Sequence, residues 1–217
     1  MVRILIYGAG GHGQVVADIL MCMRRNRHAV VTVGFIDDNL NKKGSEFLGL
    51  PVVGDEREFG KIEHDGVIVA VGENSTRKKI VCRLEAAGER FVSAIHPSAV
   101  IASDAIVKSG SMICAGAIVN TGTIVGDHVI LNTACSVDHH NRIDSFAHIA
   151  PGAHLGGEVK VGQGALLGIG ASVLPRISIG EWAVIGSGSV VKKNVPTGAL
   201  AVGNPCRIIK VRPQQTT

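Results

Sequence analysis

From Ile101 onward the hydrophobic positions fall on a strict period of six. Ile101, Val107, Ile113, Val119, Val125, Leu131, Val137, Ile143, Ile149, Leu155, Val161, Leu167, Val173, Ile179, Ile185 and Val191 form one series of Ile, Val and Leu without a miss or an insertion. A period of six fits neither an amphipathic helix nor the alternation of a half-buried strand. It predicts a hexapeptide β-helix, in which three hexads close one triangular coil and the aliphatic residue of each hexad points to the axis. The fifth hexad position is mostly small (Ala105, Ala117, Ala147, Ala153, Ala165, Ala171, Ala183), so the chain can bend at the corners without clashing. At about eighteen residues per coil the segment makes about five coils, stacked roughly 4.8 Å apart.

Before Ile101 the six-residue period is absent and an α/β alternation takes its place. Ile4–Tyr7 reads as a buried strand, followed by Gly8-Ala-Gly-Gly-His-Gly13 and a helix from about Gln14 to Arg25. Val30–Asp37 and Gly66–Val71 read as further strands, the first ending in Phe35-Ile-Asp37-Asp38 and the second at Gly72-Glu73-Asn74. Ser75 is placed to cap a second helix that carries Arg77, Lys78 and Lys79 near its start and stops near Gly88. A short strand over Phe91–Ile95 leads through His96-Pro97 into the coils. The reading is a small Rossmann-like parallel sheet with crossover helices over 1–97, a β-helix over 98–211 and a frayed polar tail over 212–217.

Gly8-x-Gly10-x-x-Gly13 sits between strand and helix, with acids further on at Asp37 and Asp38. That context suits diphosphate binding by helix N-terminal amides, with Gly10 and Gly11 at the turn. A domain ending near residue 97 is too short for both halves of a full NAD fold. A nucleotide or nucleotide-sugar therefore fits better than NAD, and a purely structural glycine turn is the remaining alternative. His12 faces either the ligand or solvent. Asp37 and Asp38 either accept hydrogen bonds from ribose or base, or simply open a loop.

Composition narrows the class. Hydrophobic residues make up 46% of the 217 but aromatics only 3%, as suits a narrow repetitive interior, and the net charge is +4. No basic run with interleaved aromatics points to nucleic acid, and no stretch of about eighteen apolar residues points to a membrane span. The five cysteines are scattered and form no CxxC pair, which argues against a disulfide framework or a cysteine zinc site and for a reducing cytoplasm.

Four histidines, His139, His140, His148 and His154, lie close together in the coils. One coil onward from His139 is Gly157, and from His140 is Glu158; Asn132 and Asp138 lie on neighbouring hexads. An imidazole beside a bare backbone suits acyl transfer. Neutral His139 can take a proton from an attacking amine or hydroxyl, and the Gly157 N–H can steady a tetrahedral oxyanion. A metal site is not expected. The γ-type carbonic anhydrases, also hexapeptide proteins, place two of their zinc histidines five apart, and no such pair exists here; two coils onward from His139 is Pro175.

The chain as a whole resembles the bacterial sugar acetyltransferase family that includes the sialic-acid O-acetyltransferases and the UDP-4-amino-sugar N-acetyltransferases of the NeuD/PglD type. The resemblance rests on Tyr7-Gly-Ala-Gly-Gly-His-Gly13, Phe35-Ile-Asp-Asp38, Val71-Gly-Glu-Asn74 with Arg77-Lys-Lys79, Ile95-His-Pro-Ser-Ala99, Leu131-Asn-Thr-Ala-Cys-Ser-Val-Asp-His139, and the tail Val202-Gly-Asn-Pro-Cys-Arg207. It implies an α/β Rossmann-like domain followed by an all-β left-handed parallel β-helix, assembled as a homotrimer, with acetyl-CoA in the groove between adjacent β-helices. It implies His139 as general base, with Gly157 at the thioester and His148, Gly203, Pro205 and Arg207 on the acetyl-CoA side; His140 is counted as catalytic only through the Asp138-His139-His140 cluster. It places Asn132 near the sugar and His12 and Asp38 on the nucleotide-sugar side, with Arg77 in a matching motif; Gly10, Gly11, Asp37 and Asn74, in the same segments, are expected at that site too. Some members carry a carboxylate directly after the base. This chain has His140 there, and Asp138 or Glu158 is the expected substitute.

The activity so implied is acetyl-CoA-dependent transfer to the amino group of a nucleotide-activated sugar, by direct attack and without a metal, in glycan synthesis. Cys135 occupies a small corner position and is expected to pack rather than carry an acyl group. The alternatives are O-acetylation of a sialic-acid-type sugar and a nucleotide-sensing scaffold without activity.

Overall fold

The computed structural model describes residues 1–211, so the predicted polar tail over 212–217 lies outside the described residues. The chain forms two compact units, one over Met1–Pro97 and one beginning at Ser98.

The first unit is a twisted sheet with two helices. Its elements are β1 (Val2–Tyr7), α1 (Gly11–Arg25), β2 (Val30–Ile36), β3 (Glu46–Phe47), β4 (Leu50–Gly54), β5 (Gly66–Val69) and α2 (Asn74–Ala86). The strand order is β3-β4-β2-β1-β5, all parallel except β3, which is antiparallel to β4. Ile4, Leu5, Ile6 and Tyr7 of the central strand are all buried, as expected of a strand covered on both faces. Against the sheet α1 buries Val16, Ala17, Ile19 and Leu20.

Four details differ from the sequence expectation. Helix α1 begins at Gly11 rather than near Gln14, so the glycine-rich segment is itself the first helical turn. The N-cap of α2 is Glu73, whose carboxylate accepts from the amides of Ser75 and Thr76 and from the Ser75 hydroxyl; Ser75 is not the cap. The glutamate supplies two oxygens to the orphan donors of the first turn, where a hydroxyl supplies one. The strand expected over Phe91–Ile95 shrinks to Ala94–Ile95, with Phe91 making an isolated bridge to Val67. The strand Leu50–Gly54 was not foreseen, because Pro51 and Gly54 interrupt its pattern.

The second unit is a left-handed β-helix of two-residue strands stacked in three parallel ladders. The first face runs from Val100–Ile101 to Val190–Val191, the second from Ile106–Val107 to Ser178–Ile179, and the third from Met112–Ile113 to Ala199–Val202. Strands pair with a register of one coil, for example Ser136 with His154 and His148 with Leu166. The aliphatic series is buried from Ile113 onward, whereas Ile101 and Val107, in the first coil, are only half-buried.

A second period of six appears only in the backbone. From residue 110 to 188 every sixth residue has a positive φ. Gly110, Gly116, Gly122, Gly152, Gly164, Gly170 and Gly188 occupy half of these corners, and His128, Ala134, His140, Phe146, Glu158, Arg176 and Trp182 the rest. The left-handed corner recruits glycine where sterics decide. Where a bulky side chain is tolerated, it lies over the neighbouring coil: Cβ atoms built on Gly110, Gly122 and Gly164 would meet the rings of His128, His140 and Trp182. Most fifth hexad positions are buried too, and polar members bond back to carbonyls of the coil, as Ser111 Oγ does to Gly126 O at 2.9 Å and Thr123 Oγ1 to Asp138 O at 2.8 Å.

Candidate active site

The corner over Asp138–Asn141 joins the first face to the second. His139 and His140 are both exposed there. The stacking expected from the sequence holds: the Glu158 amide donates to His139 O at 2.9 Å, which sets Gly157 over His139 and Glu158 over His140. The His139 ring lies so close to Gly157 that any Cβ there would collide with it. Gly157 is absent from the positive-φ corners, so the ring, not the backbone conformation, is what demands glycine. The Gly157 amide donates to no acceptor among the described residues.

Sequence reasoning missed Asn141, which holds this corner from inside. It is buried, and its Nδ2 donates to Asp138 O at 2.6 Å and to Gly156 O at 3.0 Å. Those are the carbonyls directly before His139 and Gly157, so one amide ties the imidazole turn to the glycine turn. The available signal was an amide side chain at a fifth position, where the series carries mostly Ala.

Neither carboxylate expected to orient the base does so. Asp138 accepts from the main-chain amide of His139 at 2.8 Å and from Asn120 Nδ2 at 3.0 Å, which holds its carboxyl below the usual range. Glu158 pairs with Arg176 at 3.3 Å. The group that meets the His139 ring is His140, Nδ1 to Nδ1 at 3.1 Å. Cys135 is fully buried, and burial above all, with Cys114 adding to it, pushes its thiol up to about 12; a thiol in that state is no nucleophile.

His148 lies on the third face, across the prism from the corner of His139. Asn132 Oδ1 accepts from the Thr133 amide at 2.8 Å, which turns its Nδ2 to His148 Nε2 at 3.1 Å. An amide nitrogen only donates, so Nε2 accepts and His148 carries its proton on Nδ1. One chain therefore presents two separate half-sites, His139 with Gly157 and Asn132 with His148. Gly203, Pro205 and Arg207 are exposed beyond the last coil. Arg207 lines a cavity of about 250 Å³ with Lys193 and Cys206.

In the first unit the glycines divide by role. Gly8 has φ +107°, and a Cβ on Gly13 would run into Gly8 O, so these two are required by the turn and by helix–strand packing. Gly10 and Gly11 face open space, which leaves the α1 N-terminus bare for a ligand. Asp37 accepts from the Ala9 amide at 2.8 Å and from Lys42 at 2.8 Å. Burial opposes its ionisation, but Lys42 and the amides of Ala9 and Asn39 hold its carboxyl below the usual range. Asp38 is exposed and accepts from the Tyr7 hydroxyl at 2.7 Å and the Glu56 amide at 3.0 Å. His12 is pushed down to about 4 by burial first and by the Arg77 charge second, so it is neutral at pH 7. Arg77 is fully buried and donates to Val71 O at 2.8 Å and to Asn74 Oδ1 at 2.9 Å; burial lowers it to about 10. Arg77 and Asn74 thus brace the loop after β5 instead of facing outward.

A hexapeptide prism with an imidazole over a bare glycine at its corner defines the class of the hexapeptide-repeat acyltransferases. Comparison with known proteins makes this specific. Residues 3–84 match the PglD N-terminal domain, and residues 158–193 match the bacterial transferase hexapeptide of six repeats. GDP-perosamine N-acetyltransferase from Caulobacter crescentus, solved with CoA and GDP-perosamine, superposes with a TM-score of 0.88 at 34% identity, over 96% of this chain and 97% of that one. The acetyltransferase domain of PglB from Neisseria gonorrhoeae FA1090, solved with acetyl coenzyme A, gives 0.87 at 32% identity over 95% and 98%. UDP-N-acetylbacillosamine N-acetyltransferase of Bacillus subtilis (strain 168) is 36% identical over 115 residues, 51% of this chain, and the match spans 50% of that relative's length. The chain belongs to the PglD-type family of hexapeptide-repeat sugar acetyltransferases. No helix among the described residues is long and apolar enough to cross a membrane.

Proposed function

We propose that this protein transfers the acetyl group of acetyl-CoA to the amino group of a nucleotide-activated amino sugar, with His139 as the general base. The observation that carries this reading is the exposed His139 imidazole stacked on Gly157, whose amide has no acceptor among the described residues. The sugar nitrogen attacks the thioester carbonyl and forms the C–N bond. His139 takes the amine proton, and the Gly157 N–H donates to the oxygen that gains charge. Collapse breaks the C–S bond, and the imidazolium returns its proton to the departing sulfur. The two substrates react directly, in keeping with the buried, unreactive Cys135.

The nucleotide is bound at the open Gly10–Gly11 end of α1, where Asp38 and neutral His12 supply polar contacts. Asp37, Asn74 and Arg77 hold that edge in shape. Acetyl-CoA lies along the third face, near His148, with Gly203, Pro205 and Arg207 at its far end. A homotrimer is the assembly that reconciles the two half-sites: His148 of one copy faces the groove into which His139 of the next projects. All five cysteines are free thiols, in keeping with a cytoplasmic enzyme.

The test is acetyl-CoA consumption with UDP-, GDP-, dTDP- and CMP-linked amino and hydroxy sugars, followed by NMR of the product. An amide on one nucleotide-linked amino sugar is expected. An ester product would make the protein an O-acetyltransferase. Nucleotide-sugar binding without turnover on any substrate would make it a binding scaffold.

A further inference from the structure

The base needs an orienting partner, and among the described residues no carboxylate hydrogen-bonds to its ring. We propose that His140 is that partner: its Nδ1 accepts the Nδ1–H of His139 and so fixes His139 in the tautomer whose Nε2 is bare and able to take a proton. This rests on the assignment of His139 as base.

The geometry is that of an N–H···N hydrogen bond. The two Nδ1 atoms are 3.1 Å apart, and the rings meet edge to face, 5.3 Å between centroids at 77°. Such a bond holds one proton between two nitrogens, and it has two senses. With the proton on His139, its Nε2 is bare and acts as a base. With the proton on His140, the neutral His139 is protonated at Nε2 and cannot accept another.

The surroundings of His140 select the first sense. Its positive φ of 55° turns the ring back over the preceding coil, so that Cδ2 and Nε2 lie over Gly122. The Gly122 amide donates to Asp104 Oδ2 at 3.0 Å, and the Thr121 hydroxyl donates to the same oxygen at 2.8 Å. The Asp104 carboxyl is held below its usual range, by Thr121 before all and then by the Gly122 amide, and it lies within electrostatic reach of the His140 ring. A negative charge on the Nε2 side of His140 favours the proton there, which leaves Nδ1 bare towards His139. Two glycines frame the pair, with His140 on Gly122 in one neighbouring coil and His139 on Gly157 in the other.

A neutral acceptor also imposes a pH dependence that a carboxylate would not. Protonation of His140 turns its Nδ1 into a donor, and His139 is forced into the inactive tautomer. The other charged groups around the pair are Asp138, held by the His139 amide and Asn120, and Glu158, held by Arg176.

The test uses the full-length enzyme with its best substrate pair. His140→Leu is expected to lower kcat on the order of tenfold or more with both KM values within about twofold, as befits loss of tautomer control. His140→Gln, which keeps a neutral acceptor, recovers most of that loss. His140→Glu recovers it too and moves the acid limb of the pH–rate profile to higher pH, because a carboxylate stabilises the imidazolium. A near-native kcat in His140→Leu, or an unmoved acid limb in His140→Glu, would overturn the proposal. Nitrogen-15 spectra of histidine-labelled native enzyme read the tautomers without turnover. His139 protonated at Nδ1 and His140 at Nε2 are expected, and the reverse would refute the pair. If those spectra agree while His139→Ala turns over normally, it is the base assignment that fails and not the hydrogen bond.

Discussion

The imidazole of His139 lies against the Cα of Gly157, one coil away, so closely that no side chain fits between them. The glycine has an ordinary backbone conformation, which makes alanine tolerable to the fold and intolerable to the ring. Gly157→Ala is expected to lower kcat on the order of a hundredfold, the scale of a disturbed base and oxyanion donor. Thermal unfolding and circular dichroism should change little. A variant that retains most of its turnover would show that the contact is packing alone.

Asn141 ties together the two turns that carry those residues. Asn141→Leu keeps the volume but leaves the carbonyls of Asp138 and Gly156 without this donor. The expected cost is about 1–3 kcal/mol in stability, with a larger fall in kcat than rise in either KM. Denaturant unfolding and steady-state kinetics on one preparation measure both. Loss of stability with unchanged kcat would confine Asn141 to the scaffold.

His12 gives the first unit a pH dependence of known sign. Its folded-state value is lowered to about 4 from an unfolded value of 6.5. The unfolded chain therefore takes up a proton that the folded one refuses. Stability is complete above the unfolded value and falls as pH drops from there towards 4. Between about pH 6.5 and 5 the native protein should lose on the order of 1–2 kcal/mol more than His12→Gln. Parallel stability curves for the two proteins would contradict the burial of a neutral ring.

Asp38 and Asp37 separate binding from construction. Asp38→Ala is expected to raise KM for the sugar nucleotide about tenfold, the scale of one hydrogen bond to a charged group, with KM for acetyl-CoA nearly unchanged. Asp37→Asn releases Lys42 and loosens the Ala9 turn, so it should also lower the melting temperature. Equal effects of the two changes on both substrates would remove the acceptor site from this edge.

The sequence revealed what is periodic or local. The aliphatic series from Ile101 to Val191 specified the prism, because one residue per hexad must be apolar whatever surrounds it. One-coil arithmetic then placed His139 on Gly157 without coordinates. What stayed hidden depends on side-chain direction. Asp138 looked like an orienting carboxylate, but its oxygen is taken by the backbone amide of the next residue. Arg77 looked like a residue of the nucleotide-sugar side, yet it is fully buried on α2, where it braces the loop after β5. The left-handed corners were hidden because half of them carry His, Phe, Glu, Arg, Trp or Ala in place of glycine.

If one imidazole at a β-helix corner removes the proton during acetyl transfer, its loss slows the chemical step and spares binding. The direct measurement is single-turnover amide formation by His139→Ala, with both substrates bound at saturation and binding constants measured in parallel. The expected rate is lowered on the order of a hundredfold or more with both affinities preserved. Amide formation within about threefold of the native rate would contradict it.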